Sequence, residues 1–262
     1  MKARRFFQTY TGLLYAFLYL PLAVMVVFSV NDANRNVVWK GFTLQWYVKL
    51  LHNEEILLAL FNSLKLAFVS AGLASIFGML ASYVLVCHPK VKGQTAYDTG
   101  FSVPLMIPEV VFGVGILTFF SSIRFPLSFM SLVCAHVVFC LPYVVSAVKA
   151  RLKSLRSASL EEAAMDLGAS EWQAFLKVTL PIARPAILAG ALLAFTISFE
   201  DFVTSFFVAG LGQTTLPIKI YAMMKFGVTP EINALSTLLL LVTLSVFYLQ
   251  HTLGEEKVAT TH

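Results

Sequence analysis

Six apolar stretches, each close to the length that crosses a lipid bilayer, constrain this chain more than any other feature. They lie at Tyr10–Val30, Ser63–Val86, Gly100–Phe120, Ser128–Val148, Ala186–Val208 and Ala234–Leu249. A helix needs about 20 predominantly apolar residues to span the hydrocarbon core. Only 13% of the 262 residues are charged, whereas soluble domains carry about 25%. The sequence therefore predicts an all-α membrane protein with six transmembrane helices.

Lysine and arginine predict the orientation of these helices. If the N-terminus lies inside, 12 of the 19 basic residues fall in inside segments and 7 in outside segments, which is the bias of cytoplasmic loops. Lys2, Arg4 and Arg5 precede the first stretch, whose apolar run is too long for a signal peptide and has no clear small-residue cleavage site. It is read as a retained anchor, so both termini are expected on the cytoplasmic side.

The longest polar stretch, Glu162–Pro181, falls in the fourth loop, on the cytoplasmic side in this orientation. Ser159 with Glu162, and Ser170 with Gln173, have the spacing of capping boxes at helix starts. Gly168 suits the left-handed residue that ends a helix, and Pro181 is expected to end the second helix. The segment therefore predicts two short helices joined by a glycine turn, which either fold onto this chain or bind a partner.

Acidic residues within the apolar stretches are costly and mark a transport pathway by default. Glu109 follows Pro108 in the third stretch, Glu200 and Asp201 lie in the fifth, and Glu231 precedes the sixth. Carboxylates in a region of low dielectric constant would attract a cationic solute. The alternatives are that they bond to neighbouring helices, stay protonated, or lie at the lipid headgroups.

The polar stretch resembles a family signature. Glu162-Ala163-Ala164, Gly168 and Leu180-Pro181 have the spacing of the EAA loop of type I ABC importer permeases of the MetI-like class, with Val178 in place of isoleucine. The resemblance implies that this loop is a cytoplasmic coupling helix, which docks on an ATPase and transmits closure of the ATPase dimer to the membrane helices. It also implies a permease domain over residues 61–250, after an anchor helix and first periplasmic loop over residues 1–60. Residues 251–262 would form a cytoplasmic tail.

Longer segments resemble the spermidine/putrescine permeases. They are Ser198–Val203, Leu216–Tyr221 and Gly227–Leu235, with Leu141–Tyr143 and the surroundings of Glu109 in agreement. The resemblance implies a subunit of a polyamine importer in the bacterial inner membrane, with no cofactor of its own. Its expected partners are a second homologous permease subunit, two copies of a cytoplasmic ATPase that hold ATP and magnesium, and a periplasmic polyamine-binding protein. No nucleic-acid partner, metal site or catalytic residue is expected.

Two other classes of transporter are alternatives to a polyamine permease. A related permease could carry ferric iron, sulfate or molybdate, although anions would fit poorly beside the acidic residues. A secondary transporter usually has more spans and an inverted repeat. The sequence contains no HExxH, GxSxG or phosphate-binding GxxxxGK[ST] motif, so an enzyme is not expected, and ATP hydrolysis must come from a partner.

Overall fold

The structure, a computed structural model, describes residues 2–33, 38–88, 93–156, 160–225, 227 and 229–255. The all-α prediction is confirmed, because the β-pairing in these ranges is one isolated bridge between Asn31 and Phe42. The helices are α1 (Lys2–Phe28), α2 (Gln45–Leu51), α3 (Glu54–Cys87), α4 (Gln94–Ser102), α5 (Glu109–Ser122), α6 (Phe129–Arg156), α7 (Leu160–Asp166), α8 (Glu171–Ala174), α9 (Leu180–Glu200), α10 (Val203–Val208), α11 (Leu216–Met224) and α12 (Pro230–Glu255).

Four described helical segments are long and apolar enough to cross a membrane. They are Phe6–Phe28, Glu54–Cys87, Phe129–Ser154 and Glu171–Glu200, which correspond to the first, second, fourth and fifth predicted spans.

The third predicted span is not one helix. Thr95–Leu105 and Glu109–Ser122 meet at a bend of 110°. Pro104 and Pro108 account for this bend, because proline lacks the N–H of the helical ladder and disfavours helical geometry in the residue before it. The sixth predicted span lies within α12, whose apolar part in the described residues, Pro230–Ser245, is shorter than the others. The number of six crossings therefore stays a prediction.

The fifth predicted span also differs from a single helix over Ala186–Val208. α9 ends at Glu200, Asp201 has an extended backbone (φ −65°, ψ 119°), and α10 begins at Val203. We call Asp201 and Phe202 the span-five break. No proline or glycine lies at this break, so side-chain contacts must account for the interruption of the helix.

The described residues form two compact units, one from the chain up to Leu58 with Lys219–Ser245, the other mainly from Ala59–Ile218. In the larger unit, small residues bring α3, α6 and α9 together. A Cβ added at Gly78 would lie 2.6 Å from Cγ1 of Val144, and one at Gly190 would lie 3.3 Å from Cα of Val144. Small residues at helical spacing in α3 are buried in this packing, as expected where helices associate in lipid. They are Ala67, Ala71, Ala74, Ser75, Gly78 and Ser82.

The smaller unit contains a folded loop that is centred on Asn31. The buried Asn31 side chain donates to the carbonyl of Val38 and accepts from the N–H of Lys40, at 2.9 Å each. Trp46 Nε1 donates to the carbonyl of Asn31 at 2.8 Å. These bonds fix α2 against the segment that follows α1.

Candidate functional site

The Glu162–Pro181 segment contains the predicted pair of helices with a glycine turn. α7 ends in a Schellman arrangement, in which Ala169 N donates to the carbonyl of Ala164 at 3.1 Å and Gly168 N to that of Met165 at 2.9 Å. Gly168 has a φ of +91°, which glycine adopts without a steric penalty. The turn prediction is therefore confirmed.

The capping box at the start of α8 is also confirmed. Gln173 N donates to Ser170 Oγ at 3.3 Å, and Ser170 N donates to Gln173 Oε1 at 3.0 Å. These two bonds satisfy N–H groups that an uncapped helix start would leave without partners. The first predicted box depends on Ser159, which lies outside the described residues.

The prediction that Pro181 ends the second helix is wrong. The chain stays helical from Glu171 to Glu200, and a π-helical turn, Phe175–Thr179, precedes the proline. In that turn Leu180 N donates to the carbonyl of Phe175, five residues back. The shifted register relieves the clash that proline causes in a regular α-helix. The loop is consequently continuous with the fifth span.

A contact with the second span anchors this loop. Tyr83, near the end of α3, donates from its hydroxyl to Oε1 of Glu161 at 2.6 Å. The Tyr83 ring packs against the buried Phe175 ring with centroids 4.6 Å apart. A cavity of about 120 Å³ lies beneath the loop, and Glu162, Met165 and Glu171 contribute to its lining.

The predicted coupling residues lie at the surface or partly buried in this chain. Glu162, Ala163 and Gly168 are exposed, whereas Ala164, Leu180 and Pro181 are partly buried. The apolar side chains of the two short helices do not share one covered face, because Leu167 is 90% exposed and Trp172 63% exposed while Phe175 is buried. We call Leu167 and Trp172 the exposed apolar pair.

The predicted pathway acids divide into two kinds. Glu109 is the first residue of α5, directly after the 110° bend, and is exposed. It lies within electrostatic range of the Tyr143 hydroxyl on α6. Glu200, the last residue of α9, is also exposed. Both residues are therefore exposed at breaks in apolar helices.

The other two acids are buried. Asp201 accepts from the backbone N–H of Thr204 at 3.2 Å and of Ser205 at 2.7 Å, so it caps α10. Glu231 pairs with Lys49 at 3.0 Å, within the smaller unit. Their place in the pathway stays a prediction, but these contacts match the alternative in which a buried acid bonds to neighbouring helices.

His136 is the part of the site whose role the sequence did not predict in detail. It lies in the fourth predicted span, and its ring bonds to Ser198 and Ser205. Ser198 and Ser205 lie on either side of the span-five break, so no helical spacing in the sequence signals that one ring joins them. Among the described residues, no group of three histidine, cysteine or acidic side chains could hold a metal ion.

Known proteins resemble this chain in sequence and in fold. Residues 74–254 match the family described as binding-protein-dependent transport system inner membrane component. The spermidine/putrescine transport system permease protein PotC of Haemophilus influenzae is 40% identical over 247 residues, which cover 94% of this chain and 95% of the relative. The putrescine transport system permease protein PotI of Escherichia coli (strain K12) is 38% identical over 232 residues, 86% of this chain and 82% of the relative.

A solved structure agrees with the fold. A chain of a bacterial ABC transporter involved in the import of the acidic polysaccharide alginate superposes with a TM-score of 0.74, covering 96% of this chain and 98% of that one at 14% identity. The match to the family model extends over most of the sequence. Accordingly, this chain belongs to the family of inner membrane components of binding-protein-dependent transport systems.

Proposed function

We propose that this chain is one of two permease subunits of an ATP-driven importer for polyamines, such as putrescine and spermidine. The observation that carries the proposal is the 38–40% identity, over most of the chain, to permeases named for these substrates.

The Glu162–Pro181 loop fits the role of the element that couples transport to ATP hydrolysis. Its Schellman turn and capping box make it stiff, and its continuous helix into α9 lets a push on the loop reach the membrane helices. The exposed apolar pair, Leu167 and Trp172, forms an apolar surface, and the exposure of such a surface to water is unfavourable in free energy. A groove on a cytoplasmic ATPase would bury this pair, and that ATPase would supply the ATP and magnesium.

Glu109 and Glu200 fit the role of charged groups along the cation's route. Both are exposed in this chain, and both lie at breaks in apolar helices. Attraction between a carboxylate and an ammonium group strengthens as the local dielectric constant falls. The Tyr143 ring, whose hydroxyl lies within electrostatic range of Glu109, would add cation–π attraction. Sulfate or molybdate would instead be repelled by these acids.

The remaining partners follow from the same proposal. A second homologous permease subunit would complete the pathway, two ATPase copies would dock on the cytoplasmic loops, and a periplasmic binding protein would deliver the polyamine. The basic-residue bias supports an inner membrane orientation with both termini in the cytoplasm.

Reconstitution of the four-component importer in lipid nanodiscs and vesicles tests this proposal. Polyamine-loaded binding protein should stimulate ATP hydrolysis, and Gly168→Val should abolish the stimulation without loss of the assembled complex. Glu109→Gln and Glu200→Gln should each slow putrescine uptake about tenfold or more, the scale of a lost hydrogen bond to a charged group. Glu54→Gln, which changes an exposed acid at the start of α3, is the matched control and should transport normally.

Two results would contradict the proposal. Absence of stimulation by any polyamine-loaded binding protein would reject the substrate class. Normal uptake by both Glu109→Gln and Glu200→Gln would reject the assignment of the pathway acids. That result would not bear on the proposed role of the Glu162–Pro181 loop.

A further inference from the structure

The side chain of His136 bridges the span-five break. His136 lies in α6, and its side chain is fully buried. Nδ1 bonds to Ser198 Oγ at 2.8 Å, before the break, and Nε2 bonds to Ser205 Oγ at 3.0 Å, after it. One imidazole ring thus contacts both halves of the fifth span.

Asp201 completes this buried group. Its side chain is 3% exposed, and its Oδ2 lies 3.4 Å from Nε2 of His136. Both carboxylate oxygens also accept backbone N–H groups at the start of α10, from Thr204 and Ser205. These contacts occupy the carboxylate and keep it away from a passing ammonium group. They also explain why the helix breaks here without proline or glycine, because Asp201 must leave helical geometry to cap α10.

Glu200 directly precedes Asp201 at the end of α9. It is exposed, whereas the next residue, Asp201, is buried. The backbone turns extended between these neighbours, so the placement of the Glu200 carboxylate depends on where the break is held.

We infer that His136 is a positioning residue, which holds the span-five break and thereby places Glu200 for the cationic substrate. Asp201 supports this arrangement and does not contact the substrate. The inference rests on the proposed polyamine transport and assigns different roles to two adjacent acids. His136 acts through Glu200, so its loss should matter only while Glu200 carries its charge.

These changes should leave the contacts of the Glu162–Pro181 loop with an ATPase unchanged, because the break and the loop lie at opposite ends of α9. α9 contains 21 residues, so about 30 Å of helix separates its two ends. A variant at the break should therefore lower the amount of putrescine transported per ATP hydrolysed, rather than ATP hydrolysis itself. A general folding defect would lower both quantities.

A double-mutant cycle on the reconstituted importer tests the inference, with putrescine transported per ATP as the readout. His136→Phe and Glu200→Gln should each lower this ratio about tenfold, and their combination should be no worse than Glu200→Gln alone. Asp201→Asn keeps a side-chain oxygen as helix cap and should lower the ratio less than about threefold. His136→Gln, which can still bond across the break, should recover part of the loss.

Ser131→Ala is the matched control for a buried polar contact between the same two helices. Ser131 Oγ in α6 donates to the carbonyl of Val208 at 2.9 Å, at the far end of α10 from the break. Its removal should leave the transport ratio unchanged. If His136→Phe does not assemble, Ser205→Ala removes one side of the bridge and should show the same dependence on Glu200.

The outcomes separate the two claims. The positioning role would be overturned if the losses of putrescine transported per ATP multiplied in the double variant. It would also be overturned if Asp201→Asn lowered this ratio as much as Glu200→Gln. Neither result would affect the proposed polyamine transport by the unaltered importer. Failure of the unaltered importer to transport polyamine would reject the proposed function and this inference with it.

Discussion

Replacement of Gly168 isolates the contribution of backbone conformation to the proposed coupling role of the Glu162–Pro181 loop. A Cβ built at this position would meet nothing within 4 Å, so a new side chain causes no collision. The φ of +91° is instead the source of strain, since residues other than glycine pay about 1–2 kcal/mol in left-handed conformations. That cost corresponds to a decrease of about 5- to 30-fold in the population of the turn.

A series of substitutions distinguishes this reason from side-chain size. Asparagine tolerates left-handed geometry better than alanine, and β-branched valine tolerates it least. Coupling should therefore fall in the order Gly168, Gly168→Asn, Gly168→Ala, Gly168→Val, although asparagine is larger than alanine. The assay is the ATPase rate stimulated by loaded binding protein, together with the concentration of ATPase subunit that gives half-maximal activity.

The control is Gly72→Ala in α3, where a Cβ also meets nothing within 4 Å and φ is not in the left-handed region. It should couple normally, since alanine favours a helix by about 0.5–1 kcal/mol over glycine. Equal activity across the Gly168 series, or better coupling by Gly168→Ala than by Gly168→Asn, would refute the backbone explanation.

Two further predictions concern packing around the same helices. Tyr83→Phe removes the bond to Glu161 but keeps the ring, and it should destabilise the loop by about 1 kcal/mol; a lower melting temperature of the complex together with weaker ATPase stimulation would confirm this, and an unchanged melting temperature would contradict it. Gly78→Ala places a methyl group 2.6 Å from Val144 and should cost about 1–3 kcal/mol through overpacking. Thermal unfolding should show partial recovery when Val144→Ala is added, and no recovery would locate the strain elsewhere.

Local patterns in the sequence were sufficient to predict that the apolar runs are helical and that a turn lies at Gly168, but they did not predict the break in the fifth span. Long apolar runs must form helices in lipid, because every backbone N–H and carbonyl needs a partner within the segment. The turn at Gly168 and the capping box at Ser170 depend on neighbours within five residues. Residue type and spacing are therefore enough to predict their hydrogen bonds. The same spacing carried the resemblance that the family match confirmed.

Contacts between distant parts of the chain decided the rest. The sequence places Asp201 within the fifth apolar stretch. Its buried contact is with His136, which is 65 positions away in the sequence. Pro181 was readable as a helix end, yet a π-helical turn accommodates it in a continuous helix.

The sequence by itself determined a helical membrane protein with two short helices joined at Gly168, because length, hydropathy and capping act over short distances. The tertiary structure alone decided which acids stay exposed. A carboxylate's environment depends on the groups that other helices bring within about 4 Å, and no local pattern specifies those groups.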